Sequence, residues 1–230
     1  MKLNFRKKVL LSLGVVAGIG ALAGAGTFAT FTAQTSNPNN TFADGTLVLS
    51  NTVGTATACL STGGGNTDTN ANGLCDTAFS LSVKAPGDSS TADITLENMG
   101  SLPASALKAF SGSCTDGDAN GETYHGSGSA CGKVQIYVQQ YSDAFSTPSA
   151  CLYGGATGAT CNFSDATKTL TTFVTAYPNV GSGLSAGALT AAGGGSPKAW
   201  VRVGVKLPAN ADNSYQGRSA SLALNWHITQ

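Results

Sequence analysis

Charge is what this chain has least of. Only 10% of its 230 residues are Asp, Glu, Lys or Arg, against about a quarter in an ordinary soluble domain. So few Lys and Arg exclude a basic nucleic-acid-binding face, which needs them clustered on one side. The same shortage excludes a charged disordered tail. It also disfavours a helical bundle, whose solvated faces are built from Glu, Lys and Arg. Histidine is scarcer still, with His125 and His227 standing 102 positions apart. No His-Glu-x-x-His run exists, so a helix-borne peptidase zinc site is missing. A Ser/His/Asp triad has no local support, and no carboxylate pair stands out among 12 acids. The chain is expected not to be an enzyme, and both histidines to be surface residues.

The basic residues that are present open the chain. Lys2, Arg6, Lys7 and Lys8 precede an uncharged run of 17 residues, 9–25, rich in Leu, Val, Ala and Gly. Gly24, Ala25, Gly26 and Ala29 place small residues near a plausible cut. This is the layout of a secretory signal peptide spanning 1–29, cut after Ala29. A retained membrane anchor is the competing reading, but the run sits at the lower limit for crossing a bilayer. No acid precedes Asp44, so removing the leader leaves 8 basic and 12 acidic residues, a net charge of −4. Export suits the six cysteines, Cys59, Cys75, Cys114, Cys131, Cys151 and Cys161, which read as three disulfides. Six cysteines allow fifteen pairings, of which the sequential one (59–75, 114–131, 151–161) is the simplest. No Cys-x-x-Cys occurs, which argues against zinc.

Beyond the leader, period-two alternation dominates. Phe79, Leu81 and Val83 form one apolar row; Ala92, Ile94 and Leu96 form another. Further rows are Val134, Ile136 and Val138; Val201, Val203, Val205 and Leu207; and Ala220, Leu222, Leu224, Trp226 and Ile228. Residues 46–49 add a short strand and 169–174 a weaker one. Strands with one apolar and one polar side form antiparallel sheets over a core. The expected fold is all-β, an antiparallel two-sheet sandwich of jelly-roll type with long disulfide-stapled loops, over 46–230. Residues 104–110 or 143–146 are the helix-like exceptions. The glycine-rich stretch 181–196 reads as a flexible loop.

Gly26-Thr27-Phe28-Ala29-Thr30-Phe31-Thr32, then Asn40-Thr41-Phe42-Ala43-Asp44-Gly45-Thr46-Leu47-Val48-Leu49, resembles the start of TasA/camelysin-family proteins. Asn98-Met99-Gly100-Ser101-Leu102 is similar to that family's N-x-G-[ST]-L turn. Asn213-Ser214-Tyr215-Gln216-Gly217-Arg218-Ser219 and the terminal Trp226-His227-Ile228-Thr229-Gln230 resemble its closing segments. The chain departs at Ala33 and Val48, where members commonly carry an acid, and in its six cysteines. The resemblance implies an exported jelly-roll protein that polymerises into extracellular biofilm-matrix fibres. It further implies that segment 30–45 donates a strand to the next subunit, with Thr30, Phe31 and Phe42 as its marked positions. Donation makes physical sense: the strand satisfies a sheet edge while alternate side chains fill the partner's core. Low charge suits self-association, because copies repel one another little. The expected partners are copies of the chain itself and other matrix components, without nucleic acid, and with a membrane only through the leader. The expected location is outside the cell, in the matrix or on the surface. A monomeric adhesion or carbohydrate-binding module, with Tyr137, Tyr141, Tyr153, Trp200 and Trp226 as its platform, is the alternative. A peptidase, implied by the activity attributed to camelysin, ranks third.

Two runs have the oxygen spacing of a calcium loop. Asp68, Asn70 and Asn72, then Gly73 and Asp76, follow D-x-[DN]-x-[DN]-G with an acid at the ninth place. Asp116, Asp118 and Asn120, then Gly121, follow the same pattern. Alternate oxygen-bearing side chains supply three hard ligands, and glycine turns a backbone carbonyl inward. Position twelve is Phe79 or Ser127 rather than Glu, which excludes an EF-hand. The first run resembles thrombospondin-type calcium loops. The expected ion is structural calcium, against the plain alternative of surface turns.

Overall fold

Alternating runs can bury only one side each, and that decides which strands share a face. The structure, a computed structural model, describes residues 45–64, 72–73, 75, 85–119 and 121–230, all within the unit Asp44–Gln230. The leader with its Ala29 cut, the segment bearing Thr30, Phe31 and Phe42, and the run 79–83 lie outside the described residues.

The described strands are antiparallel throughout and sort into four sheets. The largest runs β2 (Cys59–Leu60), β1 (Leu49–Val53), β3 (Ser89–Asn98), β11 (Lys198–Lys206), β6 (Gln135–Tyr141) and β7 (Pro148–Tyr153) in spatial order. Its register sets Val203 between Ala92 and Val138, and Val201 between Ile94 and Gln140. Ile94, Leu96, Val138, Val201, Val203 and Val205 are all 0% exposed. Each such side chain contributes about 1.5–3 kcal/mol. A three-stranded sheet is ordered β10 (Leu184–Ser185), β4 (Ala106–Phe110), β13 (Asn225–Thr229). Two ribbons complete the set: β5 (Cys114–Asp118) with β12 (Arg218–Leu222), and β8 (Gly155–Thr157) with β9 (Thr160–Asn162). One hydrophobic cluster holds Ile94, Val138 and Val201 of the largest sheet with Leu107, Ala109 and Leu184 of the three-stranded one.

Four local expectations are corrected. Residues 169–174 are not a strand but lead into helix α2 (Leu170–Ala176), after the short α1 (Ala130–Lys133). Thr169 and Thr172 form a reciprocal capping box, and Leu170 and Phe173, three apart, bury the inner side. Helix-like 104–110 is strand β4, because Leu107 and Ala109 enter the core while Lys108 points away; 143–146 is a turn on the Asp143 carboxylate. The stretch 181–196 is anchored: it contains β10, buries Leu184, Ala186 and Leu189, and bridges Leu189 to Ala104. Its apolar residues are diluted by glycine, which hid the pattern. The run 220–228 splits into β12 and β13, changing partner from β5 to β4.

Asn98 builds the turn where the described chain enters. It is 0% exposed, and its Nδ2 donates to Leu102 O (2.7 Å) and Thr190 O (3.0 Å). Its Oδ1 accepts from Gly100 N (3.0 Å). Only glycine fits at 100, since a Cβ there would lie 2.1 Å from Thr46 O. Thr46 and Val48 are pinned on this turn through Leu102 N and Met99 N. The Asn-x-Gly-Ser-Leu run is therefore a folding device with a physical reason for Asn98 and for Gly100.

Candidate functional site

The cysteines pair sequentially: Cys59–Cys75, Cys114–Cys131 and Cys151–Cys161. The last two tie elements rather than loops, joining β5 to α1 and β7 to β9.

Of the first calcium run, Asp68, Asn70 and Asp76 lie outside the described residues. Asn72 Nδ2 donates to Leu60 O (2.9 Å) and meets Cys59 Sγ at 3.3 Å, which seats it beside the first disulfide. In the second run Asn120 is outside the described residues, and Asp116 and Asp118 stand on strand β5 rather than in a loop. Asp116 Oδ2 accepts from the Ser129 hydroxyl (2.7 Å) and Oδ1 from Cys131 N (2.8 Å). Burial pushes the Asp116 pKa up; the Cys131 N–H, the Ser129 hydroxyl, the Ala130 N–H and Arg218 outweigh it and hold the pKa below 3.8. Asp118 is bound to the Arg218 guanidinium, with His125 Nδ1 3.7 Å away. A cation beside Asp118 would face that guanidinium, so the second run does not fit calcium as folded.

The aromatic candidates divide. Tyr137, Tyr141 and Trp200 share the outer face of the largest sheet, where Trp200 pairs with Tyr141 and Gly204 with Tyr137. A Cβ at Gly204 would lie 2.3 Å from the Tyr137 ring. Arg202, between them, donates from Nε (2.5 Å) and Nη2 (2.8 Å) to Asp93 and from Nη1 (2.9 Å) to Tyr141 OH. Tyr153 instead packs edge-on to Phe173 and Tyr177 in the core, and Trp226 lies on β13.

Contrary to the expectation that a triad lacks any local signal, the run 183–187 spells Gly-x-Ser-x-Gly, with Ser185 on β10. Ser185 pairs with Lys108, and Lys108 with His227. Two strand spacings, about 10 Å, thus separate the hydroxyl from the imidazole, beyond the reach of a nucleophile–base hydrogen bond.

The outer edge of β13 is the feature that points outward. Ala186 N donates to Leu107 O (2.8 Å) and Leu107 N to Gly187 O (2.6 Å), so Leu107 bonds toward β10. Antiparallel strands alternate sides, so Ala106, Lys108 and Phe110 bond toward β13, opposite Thr229, His227 and Asn225. The N–H and C=O of Trp226 and Ile228 therefore face away from β4, and no described strand lies along them. The side chains along this run are also incompletely covered. Ala220, Leu222, Leu224, Trp226 and Ile228 all pack on the core yet stay only partly buried. The sequence carried the alternation that makes this a strand, but no local signal says which edge lacks a described neighbour.

No protein-family model matches this chain, and no curated protein matches it. Among the described residues no helix is long and apolar enough to cross a membrane. Three disulfides suit an oxidising, extracellular setting.

Proposed function

We propose that the protein is an exported structural subunit that polymerises into extracellular matrix fibres, segment 30–45 of one copy pairing with β13 of the next. The two-sheet sandwich of jelly-roll type, expected from the strand pattern and implied by the family resemblance, belongs to this proposal; the described sheets are not joined into a sandwich. The observation that carries it is the β13 edge, where outward backbone groups and a half-covered apolar row coincide. An added strand would satisfy the first and cover the second. Pro38 has no N–H, so pairing runs on one side of it: Phe31 with Ala33, or Phe42 beyond. The described chain starts near that edge. Thr46 O bonds Leu102 N, and three residues on Ser105 N bonds Thr229 O at the end of β13. Structural calcium is proposed for the first run alone, through Asp68, Asn70, Asn72 and Asp76.

Electron micrographs of the purified protein test the reading. Filaments are expected, and deletion of 30–42 should abolish them while the folded domain remains. Protein that stays monomeric with and without calcium overturns the fibre function; filaments that survive the deletion overturn strand donation.

A further inference from the structure

The outer face of the largest sheet ends in an open depression of about 520 Å³, lined among others by Lys133, Gln135, Phe163, Lys206 and Asn210. Three features of its wall belong together. Phe163 presents a half-buried ring, held at 4.9 Å between centroids by Tyr137. Lys206 Nζ lies 5.8 Å from the Phe163 ring and Lys133 Nζ 5.4 Å from the Tyr215 ring. Neither ammonium is salt-bridged to a described carboxylate, unlike Lys198, Arg202 and Arg218. The Asn210 amide adds a hydrogen-bonding group, whereas Gln135, 4% exposed, spends its Nε2 on Phe163 O (3.2 Å) and Asp165 O (2.9 Å) and so fixes the Phe163 backbone.

The nearby acids do not cancel these charges at contact range. Asp212 acts on Lys133 from a distance while its carboxylate accepts from Ser214 N and Oγ. Asp165 stands near Lys168 and is likewise turned onto Thr167. Two ammoniums without a described carboxylate in salt-bridge contact, Lys206 beside the Phe163 ring and Lys133 beside the Tyr215 ring, thus border the depression on a chain expected to be acidic once its leader is removed.

We infer that this depression binds an acidic polysaccharide, with a sugar ring packed on Phe163 and uronate carboxylates on Lys133 and Lys206. An apolar ring with a few placed polar groups is how pockets orient such ligands. Lysine point charges pair with carboxylates without demanding a planar fork. Both described arginines are committed to aspartates, which removes the bidentate donors favoured for phosphate. The expected net charge of −4 opposes a polyanion as dense as DNA. The inference needs no second copy of the chain and stands apart from strand donation.

The test is a titration of fluorescent polygalacturonate into the purified protein at low salt. Saturable binding is expected, weakened by added salt. The Lys133→Gln/Lys206→Gln double variant should bind about tenfold or more weakly, since each charged contact is worth a few-fold to a hundredfold. The double Lys→Arg variant should restore binding, and both variants should melt as the parent does. Undiminished binding by the Gln variant, equal binding of neutral dextran, or tighter binding of duplex DNA would each overturn the proposal.

Discussion

Proline placed at two neighbouring positions of β13 separates the inner from the outer side of this strand. His227 bonds toward β4, so His227→Pro removes a ladder donor and leaves the Lys108 carbonyl without it. That loss should cost about 2–4 kcal/mol, the net bond plus the unsatisfied acceptor. Ile228 points its N–H outward, where no described strand pairs with it. An edge strand tolerates proline when the lost N–H faces outward. Ile228→Pro should then cost only the trimming of a half-covered side chain, about 1 kcal/mol. For a domain of this size each kcal/mol moves the melting midpoint by about 2–4 °C. The expected midpoints therefore differ, with roughly 10 °C lost for His227→Pro and only a few degrees for Ile228→Pro. Micrographs complete the pair. Ile228→Pro removes one of two outward donors and should abolish filaments while the fold persists. Equal destabilisation by both prolines would refute the assignment of the open side, and abundant filaments from Ile228→Pro would refute β13 as the acceptor.

Acid should weaken the domain through its turn-capping aspartates. Asp143 is held at about 2 by the Thr147 N–H, with the Ser146 hydroxyl and N–H adding to it. Asp116, Asp165 and Asp212 are also lowered from 3.8. A depressed folded pKa gives stability that is complete above the unfolded value and is lost as pH falls. Melting midpoints should thus be flat above about pH 5 and fall below about pH 4, with Asp143→Asn softening the fall; an unchanged midpoint at pH 3 would contradict these caps. Replacing Cys151 and Cys161 together with alanine should cost about 3 kcal/mol by denaturant unfolding, given a separation of 10 residues. Chelator should lower the melting midpoint of the parent but not of Asp68→Asn/Asp76→Asn, and an identical shift in both would place the ion elsewhere.

Much of the largest sheet was legible because each of its strands has a single buried side. Rows such as Ile94 and Leu96, or Val201, Val203 and Val205, repeat every second residue, and burial demands that repeat. The sequential disulfides were legible too, since short spacings favour local pairing. Where that reading failed, local pattern competed with context. Thr169–Thr172 capping turned an apparent strand into a helix, and Leu184, Ala186 and Leu189 reached the core from a glycine-rich background. Asp116 and Asp118 carried a loop-like spacing but were taken by a helix cap and a guanidinium distant in sequence.

By itself, then, the order of residues determined the β class and the sheet-facing rows, because these depend on neighbours a few positions apart; it left fifteen cysteine pairings open, among which the structure shows the sequential one. Only the tertiary structure decided that no described strand lies beyond Trp226 and Ile228, that Arg202 and Arg218 are spent on aspartates, and that no described carboxylate bridges Lys133 or Lys206. Edges and charge partners are set by which distant strands come to lie side by side, and no local spacing carries that information.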